Sequence, residues 1–136
     1  MSFNYEVEGG NFLKAGFASS EVKKILKQLN IDARIIKRVV VALYEGEVNV
    51  VAHAKQGTVF VDIDDKHIYI KISDKGPGIP NIELAMQEGF STASESVREM
   101  GFGAGMGLPN IKRNADWINI NSTVGEGTVL EMKTNF

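Results

Sequence analysis

The chain has 136 residues with 15 basic and 17 acidic side chains, and its net charge of −2 gives no general attraction to nucleic acid or anionic lipid. With no cysteine and only His53 and His67 as imidazoles, there is no disulfide framework, no thiolate chemistry and little basis for a zinc site. Hydrophobic residues make up 43%, yet no apolar run reaches the roughly 20 residues of a membrane span, which fits one globular domain over residues 1–136.

Residues 1–8 carry neither a basic leader nor an apolar signal core, so a cytoplasmic location is expected. Phe3, Tyr5 and Val7 alternate with polar neighbours as in a half-buried strand, and Gly9-Gly10 ends it. Asn11 is a candidate cap for a helix from Phe12, in which Ala15, Ser19, Val22, Leu26 and Leu29 form one stripe and Lys23, Lys24 and Lys27 lie outside it. Asn30 and Ile31 break this helix. Asp32 then caps a second one that runs to about residue 54.

In that second helix Glu45, Asn49 and His53 recur every four residues and share one face. Such a stripe is usually solvated. Here Val39, Val40, Leu43, Tyr44, Val48, Val50, Val51 and Ala52 cover most of the remaining circumference, so the helix is expected to be buried, with Glu45 and Asn49 facing an internal site. Gly46, which costs about 1 kcal/mol against alanine in a helix interior, points to close packing or ligand approach.

Gly57 is placed at the end of this helix, and alternating runs over 58–64 and 67–73 predict an antiparallel hairpin turned at Asp65-Lys66. The second strand delivers Asp74 into Gly76-Pro77-Gly78-Ile79. Asn81 caps a short helix to about residue 88, buried through Ile82, Ala85 and Met86. A polar run at 91–100 follows, then Gly101-Phe102-Gly103-Ala104-Gly105-Met106-Gly107, which enters a helix at about Leu108 with Pro109 in its first turn. Trp117, Ile118 and Ile120 begin a strand, 122–127 is a turn, and 128–132 is the closing strand.

This order predicts a two-layer α/β sandwich, a mixed but largely antiparallel sheet with helices on one face. Two glycine clusters flank a segment suited to act as a lid. Glycines at this density let the backbone approach a ligand, and exposed N–H groups leading into a helix cradle an anion, so the expected ligand is a nucleotide. Neither the P-loop nor the dinucleotide-binding fingerprint fits in context.

Four elements in fixed order carry a resemblance: Glu45-Gly46-Glu47-Val48-Asn49 through His53, Asp74-Lys75-Gly76-Pro77-Gly78, Gly101 through Gly107, and Gly125-Glu126-Gly127-Thr128. They resemble the N, G1, G2 and G3 boxes of the GHKL ATPase/kinase superfamily, whose Bergerat fold agrees with the architecture expected above. The runs Glu88-Gly89-Phe90-Ser91-Thr92 and Gly105-Met106-Gly107-Leu108-Pro109-Asn110-Ile111-Lys112-Arg113 are similar to those of bacterial anti-sigma-factor serine kinases and stressosome switch kinases. No phosphoacceptor-histidine hairpin precedes the module and no transducer domain follows it here, which points away from sensor histidine kinases and gyrase-like members.

The resemblance implies roles. Asp74 accepts a hydrogen bond from the adenine amino group, supported by Thr128 through water, and Gly76, Gly78 and Ile79 lie along base and ribose. Gly103, Ala104, Gly105, Met106, Gly107 and Leu108 surround the phosphates. Asn49 ligates Mg²⁺, and Glu45 is the general base for a serine hydroxyl attacking the γ-phosphorus of ATP. His53 is a candidate phosphate contact set against a satisfied helix-end histidine, and Arg98 a candidate γ-phosphate contact set against an exposed loop arginine. Pro77 and Glu126 depart from the family pattern without removing its glycines; Glu126 is expected to point outward.

The function implied is an ATP-dependent protein serine/threonine kinase, anti-sigma or switch factor, acting on a STAS-type antagonist or scaffold protein. A sigma factor and a homodimer are further possible partners, with Arg34, Lys37 and Arg38 as a basic contact surface. The competing readings are a nucleotide-gated binding module without phosphotransfer and a plain ATPase.

Overall fold

One long helix crosses the middle of the molecule and touches every other layer. In the computed structural model, which describes residues 1–87 and 107–136, this helix, α2, spans Ala33–His53 and buries Val39, Ala42, Leu43, Gly46, Glu47, Val50 and Val51. Its start is set by Asp32, whose carboxylate accepts the Arg34 N–H at 2.8 Å.

Strands β1 (Ser2–Glu8), β2 (Gln56–Ile63), β3 (His67–Lys75), β4 (Trp117–Thr123) and β5 (Gly127–Asn135) form one sheet in the order β1-β2-β3-β5-β4. Every pairing among them is antiparallel. Register aligns the apolar sets into two rows across the sheet. One contains Phe3, Val61, Ile70, Met132 and Ile118; the other contains Tyr5, Val59, Ile72, Leu130 and Ile120. A one-residue slip would turn both rows to solvent, so burial of this face fixes the pairing.

Helices α1 (Phe17–Gln28), α2 and α4 (Gly107–Asn114) cover that face; the short α3 (Ile82–Ala85) is capped by Asn81, which accepts the Leu84 N–H at 3.0 Å. Gly46 lets α2 lie close on the sheet. A methyl group there would meet the Ile72 Cδ1 and stand 3.5 Å from a Leu130 methyl. On the outer face Trp117, the single tryptophan, is 43% exposed with the Lys133 ammonium 5.4 Å from its ring centre. No helix among the described residues is long and apolar enough to cross a membrane.

Several expectations shift. Phe12–Lys14 is an isolated 3-10 turn, and α1 begins only at Phe17, after Gly16 at φ +94°. Asn11 makes no capping bond. The stripe from Phe12 is helical only from Phe17 on, because a left-handed residue ends any helix before it. Leu29 falls at the C-cap and is 37% exposed. Gly57 sits inside β2, buried opposite Asp74, not at the end of α2.

The residue that places α1 is Glu47. Only 2% of it is exposed, and its Oε2 accepts the N–H groups of Gly16 and Ala18 at 3.0 and 3.1 Å. Its Oε1 accepts the Ser19 N–H at 3.1 Å and the Ser19 hydroxyl at 2.7 Å. A carboxylate from one helix thus caps the N-terminus of another, where the dipole favours negative charge. Glu47→Ala leaves buried donors unmade at about 1–3 kcal/mol each. Urea unfolding should therefore show a loss of about 3 kcal/mol or more at unchanged m-value, with Glu47→Gln intermediate.

Candidate active site

Past the two apolar rows, the inner face of the sheet ends in a polar one. Asp74 continues the set Ile68, Ile70 and Ile72 on β3; Thr128 continues Leu130 and Met132 on β5; Ser122 continues Ile118 and Ile120 on β4. Gly57, paired with Asp74, lets α2 pack closely over this corner: a Cβ there would stand 2.8 Å from a Val50 methyl.

Asp74 Oδ1 accepts the Thr128 N–H at 3.2 Å. The hydroxyls of Ser122 and Thr128 share a hydrogen bond of 2.8 Å, and Ser122 Oγ also accepts the Ile79 N–H at 2.7 Å. The Gly125 N–H donates to the Pro77 carbonyl at 2.9 Å, which ties the β3 exit to the β4–β5 turn. Two glycines are obligatory here. Gly127, at φ +144°, lies where a Cβ would run into the Asp74 carbonyl oxygen, and Gly78, at φ +76°, where a Cβ would stand 2.5 Å from the Thr123 carbonyl. Burial pushes the Asp74 carboxyl above its ordinary range, partly opposed by the Thr128 N–H.

The second half of the site lies between α2 and α4. Glu45 Oε1 accepts the Asn110 amide N–H at 3.2 Å, and Asn110 Oδ1 accepts an Arg113 N–H at 3.3 Å. A Cβ at Gly107 would lie 3.2 Å from both Oδ1 and Nδ2 of Asn49, so the first residue of α4 rests against that amide. Gly107 and Leu108 open the first turn of α4, with their backbone at the end that favours anions. His53 is the last residue of α2, half-buried, and burial lowers its imidazole below the usual value, which leaves it neutral at pH 7.

The structure therefore brings Glu45, Asn49, Gly107 and Leu108 together, and separately Asp74, Gly76, Gly78, Ile79 and Thr128. Gly76 lies under Ala54, with its hypothetical Cβ 3.1 Å from Asp74 Oδ1. Arg98, Gly103, Ala104, Gly105 and Met106, the lid and the remaining G2 glycines lie outside the described residues. Glu126 is exposed, as expected. Sequence reasoning missed Ser122 and Asn110. Continuing the strand alternation past Ile120 finds Ser122; Asn110 carries no signal beyond its place one turn after Gly107.

A family model described as "Histidine kinase-, DNA gyrase B-, and HSP90-like ATPase" matches residues 31–136. The chain is 33% identical over 113 residues to serine/threonine-protein kinase RsbT of Bacillus subtilis, covering 80% of this chain and 79% of that protein. It is 32% identical over 121 residues to anti-sigma F factor of Caldanaerobacter subterraneus subsp. tengcongensis, with coverage of 85% and 81%. Among solved structures, mycobacterial sensor histidine kinase MprB shares the fold at a TM-score of 0.57 and 17% identity, over 99% of this chain and 97% of that one. With the N, G1 and G3 elements set around one corner of an antiparallel sheet, and with relatives of this kind along most of its length, the chain belongs to the histidine kinase-, DNA gyrase B- and HSP90-like ATPase family.

Proposed function

We propose that this protein is an ATP-dependent protein serine/threonine kinase that works in the cytoplasm as an anti-sigma or switch factor, phosphorylating a STAS-type antagonist or scaffold protein. The observation that carries this reading is the Glu45–Asn110 hydrogen bond, which holds a carboxylate one helical turn from Asn49 and beside the α4 N-terminus. Relatives named as a serine/threonine-protein kinase and as anti-sigma F factors support it.

The residues fit ATP. Asp74 is half-buried with Oδ1 engaged by Thr128, and its second oxygen, which has no donor among the described residues, would accept the adenine amino group. Guanine would present a carbonyl to the same carboxylate and be repelled. Ser122 fixes the Thr128 hydroxyl and the Ile79 backbone that flank this acceptor. The first turn of α4 offers N–H groups to the phosphates.

Asn49 provides a neutral amide oxygen for Mg²⁺. That neutral oxygen would suit the hard, partly hydrated ion, and among the described residues no cluster of three acidic or histidine side chains could hold it instead. When bound, Mg²⁺ offsets negative charge on the β- and γ-phosphates. In transfer, the substrate hydroxyl oxygen bonds to the γ-phosphorus, the bond to the β,γ-bridging oxygen breaks, ADP leaves, and Glu45 takes the hydroxyl proton. Asn110 acts as a positioning residue by holding the Glu45 carboxylate.

Label transfer from γ-labelled ATP with Mg²⁺ into source-cell lysate tests the reading. The native protein should label a small protein; Glu45→Ala should lower labelling about 100-fold or more with ATP affinity changed only a few-fold. Unchanged labelling by Glu45→Ala removes the base. Binding of ATP without any labelling leaves a nucleotide-gated binding module as the better function.

Asp74→Asn gives a stability test. The carboxyl pKa is raised in the folded state, so the native fold holds this proton more tightly than the unfolded chain. Its stabilising effect is present below the ordinary carboxylate pKa of about 4 and is lost as pH rises through the folded value. Without nucleotide, the Asn variant should gain on the native protein as pH rises from 4 to 7, and unfold at an equal or higher temperature at pH 7. Its ATP affinity should fall at least tenfold. A variant equally destabilised at both pH values contradicts the assignment.

A further inference from the structure

Between positions 14 and 38 there are seven basic and two acidic side chains, in a chain whose net charge is −2. Several of these cations are paired: Lys24 with Glu21 at 3.8 Å, Arg34 with Asp32 at 3.5 Å and Arg38 with Asp116 at 3.0 Å. Lys23, Lys27 and Lys37 are exposed and have no hydrogen bond or ion pair among the described residues. These three line one groove of about 570 Å³ between the C-terminal half of α1 and the N-terminal half of α2. Its floor is apolar, from Ile31, Ile36 and Val40.

We propose that this groove docks an acidic amphipathic helix of a partner protein. Lys23 and Lys27 stand one above the other on α1, with Lys37 on the facing helix, so carboxylates flanking an apolar stripe would meet a cation on each side. A concave apolar floor takes up Leu or Ile side chains at helical spacing. Nucleic acid fits poorly, since no aromatic side chain lines the groove for stacking. A bilayer surface asks for apolar side chains that protrude, and here the floor lies below the lysines. A symmetric second copy would bring the same unpaired lysines against each other.

The groove is remote from the phosphates: Lys37 and Asn49 are separated along α2 by about 18 Å at 1.5 Å per residue. A helix seated here would hold a partner without covering the nucleotide site. The inference stands on the charge distribution and the groove alone, and it survives if the protein transfers no phosphate.

The test uses a fluorescent 18-residue helical peptide with a leucine stripe flanked by glutamates, read by anisotropy against the full chain. The native protein should bind it, and Lys23→Glu/Lys27→Glu/Lys37→Glu should weaken binding at least tenfold. A peptide with lysines in place of the glutamates should bind this triple variant and not the native protein. Lys55→Glu/Lys66→Glu/Lys71→Glu, with the same change in net charge on exposed residues elsewhere, should bind as the native protein does. Equal binding of a scrambled peptide, an equal loss in the control triple, displacement by phosphatidylglycerol vesicles, or a native dimer that the groove triple converts to monomer would each overturn the proposal.

Discussion

The structure depends on one buried carboxylate. Glu47 enters the interior from the middle of α2, where an uncompensated charge is untenable, and it is held there by three backbone N–H groups and a hydroxyl at the start of α1. That exchange fixes where α1 begins, overriding a side-chain pattern that would start it earlier. It also explains why α2 works from two sides. At 100° per residue Glu45 and Asn49 each lie about 160° around the helix from Glu47. The structural acid faces α1 while the candidate base and its neighbouring amide face α4.

The sheet shows the same division between scaffold and chemistry along each strand. Two rows of apolar side chains hold the layers together, and the third row, Asp74, Thr128 and Ser122, is polar and partly open. Asp74 is kept in an environment that penalises its charge, with one donor among the described residues, so a ligand offering a second donor offsets a cost built into the fold. Gly127 and Gly78 let the turns close around it, since neither position has room for a side chain.

Much of this was legible beforehand because each strand repeats a strict alternation and α2 is apolar on nearly all sides. The strand set, the helix-covered face, the Asp32 cap and the inward direction of Glu45 and Asn49 follow from those periods. The nucleotide roles came instead from the order of the glycine boxes. The start of α1 was hidden because its cap is supplied by a residue 28 to 31 positions away, and local rules look only for Ser, Thr, Asp or Asn beside the helix. Gly57 reads as a helix end by local rules because an isolated glycine looks like punctuation. Its actual reason is close packing, since a Cβ there would stand 2.8 Å from a Val50 methyl and 3.0 Å from the Ser73 carbonyl, and that packing exists only once the strands are paired. Asn110 was silent for a similar reason, its partner Glu45 being 65 residues away.

The lone tryptophan has a practical consequence. Trp117 starts β4 on the outer face, five residues and about 17 Å along the strand from Ser122, with a lysine over its ring. The protein thus carries a built-in optical reporter of whether the sheet is intact, sited at the opposite end from the polar corner. Changes in its emission read out the scaffold, and nucleotide occupancy has to be followed through a signal on the ligand.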